Sequence, residues 1–146
     1  MLGLTTNNES ANNESITAYD EGIIAAANER ANKLREQYVG QFVRTTKRGK
    51  TYIGMCDEVC PTPEGVKLGM VAADPNEWVG MLAEPNETWI CNTDLERELA
   101  RESARLYFDF EIESLRHTIA RERANGKNVT ALTNRLAKLI DWRSKL

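Results

Sequence analysis

Gly49-Lys50-Thr51 ends like a phosphate-binding loop, whose backbone N–H groups would cradle an anion. Such a loop needs a glycine five positions earlier and a helix after it. Arg44 stands at that position and a strand pattern follows, so the motif fails. His117 with Glu113 one turn before it has the form of a general base and its orienting acid. No serine or cysteine is placed by sequence to complete a nucleophilic pair, so a surface or interface histidine is expected. Cys91 could act as a nucleophile, but a cysteine beside a strand reads first as a small apolar filler. Cys56 and Cys60 stand four apart, and the chain holds one histidine, short of the closed set of four that zinc takes. Neither a metal, a cofactor nor a catalytic residue is expected.

Arg97, Arg101 and Arg105 recur every four residues beside Asp94, Glu98 and Glu102. On a helix this gives a face laced with salt bridges, each worth about a few tenths of a kcal/mol. The same row could grip phosphates or an acidic partner, and Trp89 and Asn92, just before the helix, could wall a pocket with it. Trp89, Asn92, Arg97, Arg101 and Arg105 are therefore the candidate partner- or ligand-binding set. A second group, Arg44, Lys47, Arg48 and Lys50, is the candidate for nucleic acid. It is joined by residues 125–146, where five bases face one acid. The whole chain carries a net charge of −3, which works against a general affinity for polyanions.

Those residues must be positioned by a chain of ordinary globular composition, 146 residues long and most simply one domain. Residues 1–16, with Asn7-Asn8-Glu9-Ser10 echoed by Asn12-Asn13-Glu14-Ser15, read as a flexible polar tail. Tyr19, Ile23, Ala27, Ala31, Leu34 and Tyr38 then recur at fours and threes, which predicts a helix over 17–37. From 38 to 92 the pattern changes to short β-branched and aromatic runs: Val39–Thr46, Thr51–Val59, Val66–Ala73, Trp78–Ala83 and Thr88–Asn92. All four prolines fall in the breaks between them, which predicts five strands in a small, curved antiparallel barrel. Thr93-Asp94-Leu95-Glu96 is a capping box that opens a long helix, and Asn125-Gly126 ends it. Asn128 then caps a last helix, giving an antiparallel helical hairpin over 93–146. On the long helix Leu95, Leu99, Leu106 and Phe110 mark one stripe, and Phe108, Ile112, Leu115 and Ile119 another. Together they are broader than a small barrel can cover, so apolar surface should remain for a second chain. The fold class expected is α+β.

Gly40-x-Phe42-Val43, Gly49-Lys50-Thr51-Tyr52-Ile53-Gly54 and Gly65-Val66-Lys67-Leu68, set behind a helix, resemble the first half of an Sm-like barrel. KOW-type and other SH3-like barrels share the same glycine-punctuated hairpin. The resemblance covers roughly Thr17 to Asn92. It implies an N-terminal helix before five bent strands, assembly into rings, and RNA binding. Where the family has its RNA-contacting Asp and Asn, this chain has Pro61 and Gly65, and Cys91-Asn92 replaces the second motif's Arg-Gly. The barrel shape is thus implied more firmly than the RNA contacts.

The function expected is that of a non-enzymatic interaction protein that self-associates through its helices and binds a protein partner. Small size, a polar tail and no catalytic constellation suit a phage-type inhibitor or accessory factor, by analogy alone. The alternatives are a nucleic-acid-binding small barrel and a protein that sequesters a phosphorylated nucleotide at a subunit interface. Met1 to Ser10 lacks the features of an export signal and no apolar run is long enough to span a bilayer. Three cysteines, an odd count, fit reduced thiols, so cytoplasmic residence without membrane attachment is expected.

Overall fold

Helical periodicity gives way to strand alternation near residue 38, and the backbone follows it. The computed structural model describes residues 18–74 and 77–146, so the tail expected over 1–16 lies outside the described residues. Helix α1 (Ala18–Tyr38) precedes strands β1 (Phe42–Lys47), β2 (Lys50–Thr62), β3 (Gly65–Asp74), β4 (Glu77–Ala83) and β5 (Thr88–Ile90). Helices α2 (Asp94–Ala124) and α3 (Thr130–Ser144) follow. The class is α+β: one helix, an open five-stranded antiparallel sheet, then two helices. Each boundary has a local cause. Arg48 and Gly49 both hold positive φ, 54° and 75°, as a two-residue turn between paired Lys47 and Lys50 requires. The Thr93 side-chain oxygen accepts from the Glu96 N–H at 3.1 Å to open α2, and Gly126 at φ 74° closes it. Asn128 Oδ1 accepts from the Thr130 N–H at 2.9 Å, as its place before α3 suggested.

The sheet is forced to curl. Its order, β4-β3-β2-β1-β5, puts the sequence neighbours β4 and β5 on opposite edges. In a flat sheet those edges would stand about 19 Å apart, four spacings of about 4.8 Å. The link from Ala83 to Thr88 could reach about 18 Å only if drawn out fully, yet Pro85–Glu87 is coiled into a 3-10 turn. Two contacts hold the edges near each other. Lys47 Nζ donates to the Leu82 carbonyl at 2.6 Å, from β1 to β4. On the other side, the buried Thr45 and Thr88 hydroxyls lie 2.9 Å apart and bond the Glu87 and Glu84 carbonyls. No ladder joins β4 to β5 among the described residues.

The sheet is packed on both faces. Ala31, Leu34 and Tyr38 of α1 meet Val43, Cys56, Val59, Leu68 and Met70 on one side. On the other, Met55 and Val71 meet Phe108, Ile112, Leu115 and Ile119 of α2 and Leu139 of α3. Phe108, Ile112, Leu115 and Ile119, one of the two stripes expected together to exceed what a barrel covers, are therefore covered within the chain by α3 and the sheet. Leu95, Leu99, Leu106 and Phe110 are the ones left exposed. The apolar face of α1 also outruns its cover: Ile23 is 51% exposed, because the sheet ends below the helix's last turns.

Candidate functional site

The arginine row is not an open comb. Arg97 bonds Asp94, Arg105 bonds Glu102 and reaches Asp109 at 3.1 Å, and Arg101 lies 3.6 Å from Glu98. The Arg105 hydrogen bond holds the Glu102 carboxyl below the usual range. Arg101 also lies over the Phe42 ring at 5.1 Å, so it is tied to β1 and not aimed outward. Trp89 is half-exposed on β5 with Arg44 5.5 Å from its ring, and Arg44 pairs with Glu96 at 3.2 Å. Asn92 is exposed between β5 and α2.

The second cationic group is likewise dispersed. Arg44 turns to the start of α2 and Lys47 crosses to β4, while Arg48 and Lys50 stay at the β1–β2 turn, with Lys50 over the Tyr52 ring at 5.2 Å. At the C-terminus Lys127, Arg143 and Lys145 pair with Glu122, Asp109 and Asp141. His117 is exposed, with Nε2 3.1 Å from Glu113 Oε1. Burial pushes the Cys91 thiol up and that of Cys56 to about 12, which removes the thiolate a nucleophile or metal ligand needs. Among the described residues no three His, Cys, Asp or Glu gather for a metal.

Two other features are built more deliberately. The first is the outward stripe of α2. At about 100° per residue, Leu95, Leu99, Leu106 and Phe110 fall within one narrow face, opposite Ala104, Phe108 and Leu115 in the core. Leu95 is 69% and Leu99 51% exposed. Asp94, Glu98 and Glu102 pair with Arg97, Arg101 and Arg105 along the helix, which offsets part of the acidity beside that face.

The second is a cleft of about 270 Å³ between the sheet and the α2–α3 hairpin. A register shift between Cys56 and Glu58 bulges β2 at Asp57. Cys56 and Val59 both face α1, so the bulge turns two consecutive carboxylates, Asp57 and Glu58, toward the hairpin. Gly69 opposite supplies the room, because a Cβ there would stand 2.5 Å from Glu58 Cγ. Gly80 supplies more, because its missing Cβ would lie 2.8 Å from the Tyr107 hydroxyl. Tyr107 is 7% exposed, and its hydroxyl has no hydrogen-bond partner among the described residues. Arg135 and Leu139 of α3 complete the wall. Burial, then the neighbouring Glu58 charge, lifts the Asp57 carboxyl to about 6. Burial also lifts Tyr107 to about 12, so its phenol stays protonated.

Asp57, Glu58, Tyr107 and Arg135 were absent from the residues singled out by sequence. One signal was available: the step from Cys56 to Val59 is three where strand alternation demands two, and that is how a bulge looks in sequence. Comparison with protein-family models, curated proteins and solved structures finds no match for this chain.

Proposed function

We propose that this chain is a non-enzymatic interaction protein whose copies pair through α2, leaving the curled sheet to present a surface to a further protein. The observation that carries the reading is the spacing of the exposed stripe. Leu95, Leu99, Leu106 and Phe110 are separated by four, seven and four residues, a pattern that reads the same in both directions. A two-fold interface must be complementary to itself. Two α2 helices laid antiparallel about a point between Glu102 and Ser103 bring Leu99 against Leu106 and Leu95 against Phe110. The pairs of Arg97, Arg101 and Arg105 with Asp94, Glu98 and Glu102 offset part of the acidic charge that two α2 helices bring to that contact. The small-barrel reading of the sheet draws support from the short β4–β5 link and the Lys47–Leu82 tie. The scatter of Arg44, Lys47, Arg48 and Lys50 gives nucleic acid no single basic face, so that alternative has the weaker support.

Light scattering on the full chain tests the pairing. The reading expects twice the chain mass of 16.5 kDa at micromolar concentration. Leu99→Glu, on an exposed position, should return the chain to a single copy with its circular dichroism unchanged. A wild-type chain that stays at single mass as concentration rises contradicts it.

A further inference from the structure

We propose that the cleft at the β2 bulge binds an organic cation, the protonated amine or guanidinium head of a ligand carried on an apolar stem. Its sheet side offers acceptors in excess of donors. Asp57 and Glu58 are turned to one side by the bulge, and Tyr107, a residue only 7% exposed, lines the same space with a hydroxyl that has no hydrogen-bond partner among the described residues. A buried hydroxyl is normally satisfied, and an unsatisfied one marks a place where something else completes the bond. Two glycines on adjacent strands keep the volume open, since a Cβ at Gly69 or Gly80 would press on Glu58 or Tyr107. The remaining lining is apolar, with Val71, Leu82 and Leu139 placed for a hydrocarbon stem. The cleft's volume of about 270 Å³ leaves room for a butyl-length chain and its head.

Charge selects the sign of the ligand. An anion would meet two carboxylates, whereas an ammonium or guanidinium head would donate to Asp57 and supply the ion pair it lacks among the described residues. No ion pair to Asp57 forms among the described residues, and the Arg135 guanidinium steadies it only from a distance. The cleft shares Asp57, Glu58, Arg135 and Leu139 with a wider groove of about 660 Å³, to which Asn134, Lys138 and Trp142 also contribute. The titratable groups facing Asp57 are Cys56, Glu58 and Cys60 on β2, Tyr107 on α2 and Arg135 on α3; among the described residues β3 and β4 line the cleft with Gly69, Met70, Val71, Gly80, Met81 and Leu82, none of which titrates. Asp57 is therefore the group whose protonation removes the negative charge near pH 6.

The test titrates the full ¹⁵N-labelled chain with n-butylamine, with butylguanidine, and with a capped Ala-Lys-Ala peptide, following the amide signals of Glu58, Gly69 and Gly80. At pH 7.5 saturable shifts at millimolar ligand are expected from at least one probe. Binding should weaken about tenfold at pH 5, where roughly a tenth of Asp57 stays charged. Asp57→Asn, which removes a buried charge and folds at least as well, should abolish the shifts. Tyr107→Phe should weaken them about fivefold, the loss of one hydrogen bond. Saturation by the free amines assigns a small-molecule site, and saturation by the peptide alone assigns the head to a partner's side chain. No saturable shift from any probe, or full binding retained in Asp57→Asn, overturns the proposal.

Discussion

Asp57 is the residue whose surroundings fit its charge least well. The bulge holds its carboxylate against the hairpin, where burial lifts it to about 6 while the unfolded chain leaves it at the ordinary value. A carboxyl raised in the folded state binds its proton more tightly there. It therefore stabilises the fold below about pH 4, and that contribution is lost as pH rises through 6. Asp57→Asn should accordingly raise stability by about 1–3 kcal/mol at pH 7.5, with the gain vanishing near pH 4. Paired thermal melts at the two pH values check this, and equal gains at both would disprove it. The type of residue at 57 was visible in sequence. Its direction was not, because the extra residue that turns Asp57 beside Glu58 shows only as a three-residue step between Cys56 and Val59.

At the scale of elements, the β4–β5 link decides the shape of the sheet. Thr45 and Thr88 are fully buried, yet their hydroxyls are used, tying β1 and β5 to the carbonyls of the 3-10 turn. Thr45→Val keeps the volume and removes the bonds, leaving the Glu87 carbonyl short of a donor. It should cost about 1–2 kcal/mol and speed amide exchange in β5 ahead of β2 and β3, readable by hydrogen exchange. Unchanged protection of β5 would show that the hydroxyls do not hold the link. The elements themselves were legible, since Pro63, Pro85, the Arg48-Gly49 turn and the Thr93 and Gly126 caps mark most boundaries in local chemistry; Pro61, expected in a break, instead pairs with Val66 inside β2. The sheet's curl was less so. It follows from which strands pair, a long-range fact that needs the order β4-β3-β2-β1-β5.

For the whole molecule, the decisive fact is which side of α2 is spent on its own chain. Both stripes have helical spacing and similar residues, so periodicity alone could not assign them. Phe108, Ile112, Leu115 and Ile119 are consumed by α3 and the sheet, and this leaves Leu95, Leu99, Leu106 and Phe110 as the outward face. The arginine row was legible as a helix face laced with charge pairs, and the side chains form them three residues apart, each arginine with the acid one turn before it. The cleft was not legible, because it is assembled from three strands and two helices that meet only in the fold.

The antiparallel pairing of α2 is tested most directly by distances between copies. Spin labels at Glu102→Cys and, separately, at Glu113→Cys, each in a Cys60→Ser background, would be read by pulsed dipolar spectroscopy. With about 1.5 Å of rise per residue, a two-fold between 102 and 103 sets the pair at 102 side by side and the pair at 113 about 30 Å apart along the axis. A short distance at 102 with a long one at 113 is the predicted result. Equal short distances at both sites, or no dipolar signal at either, would contradict it.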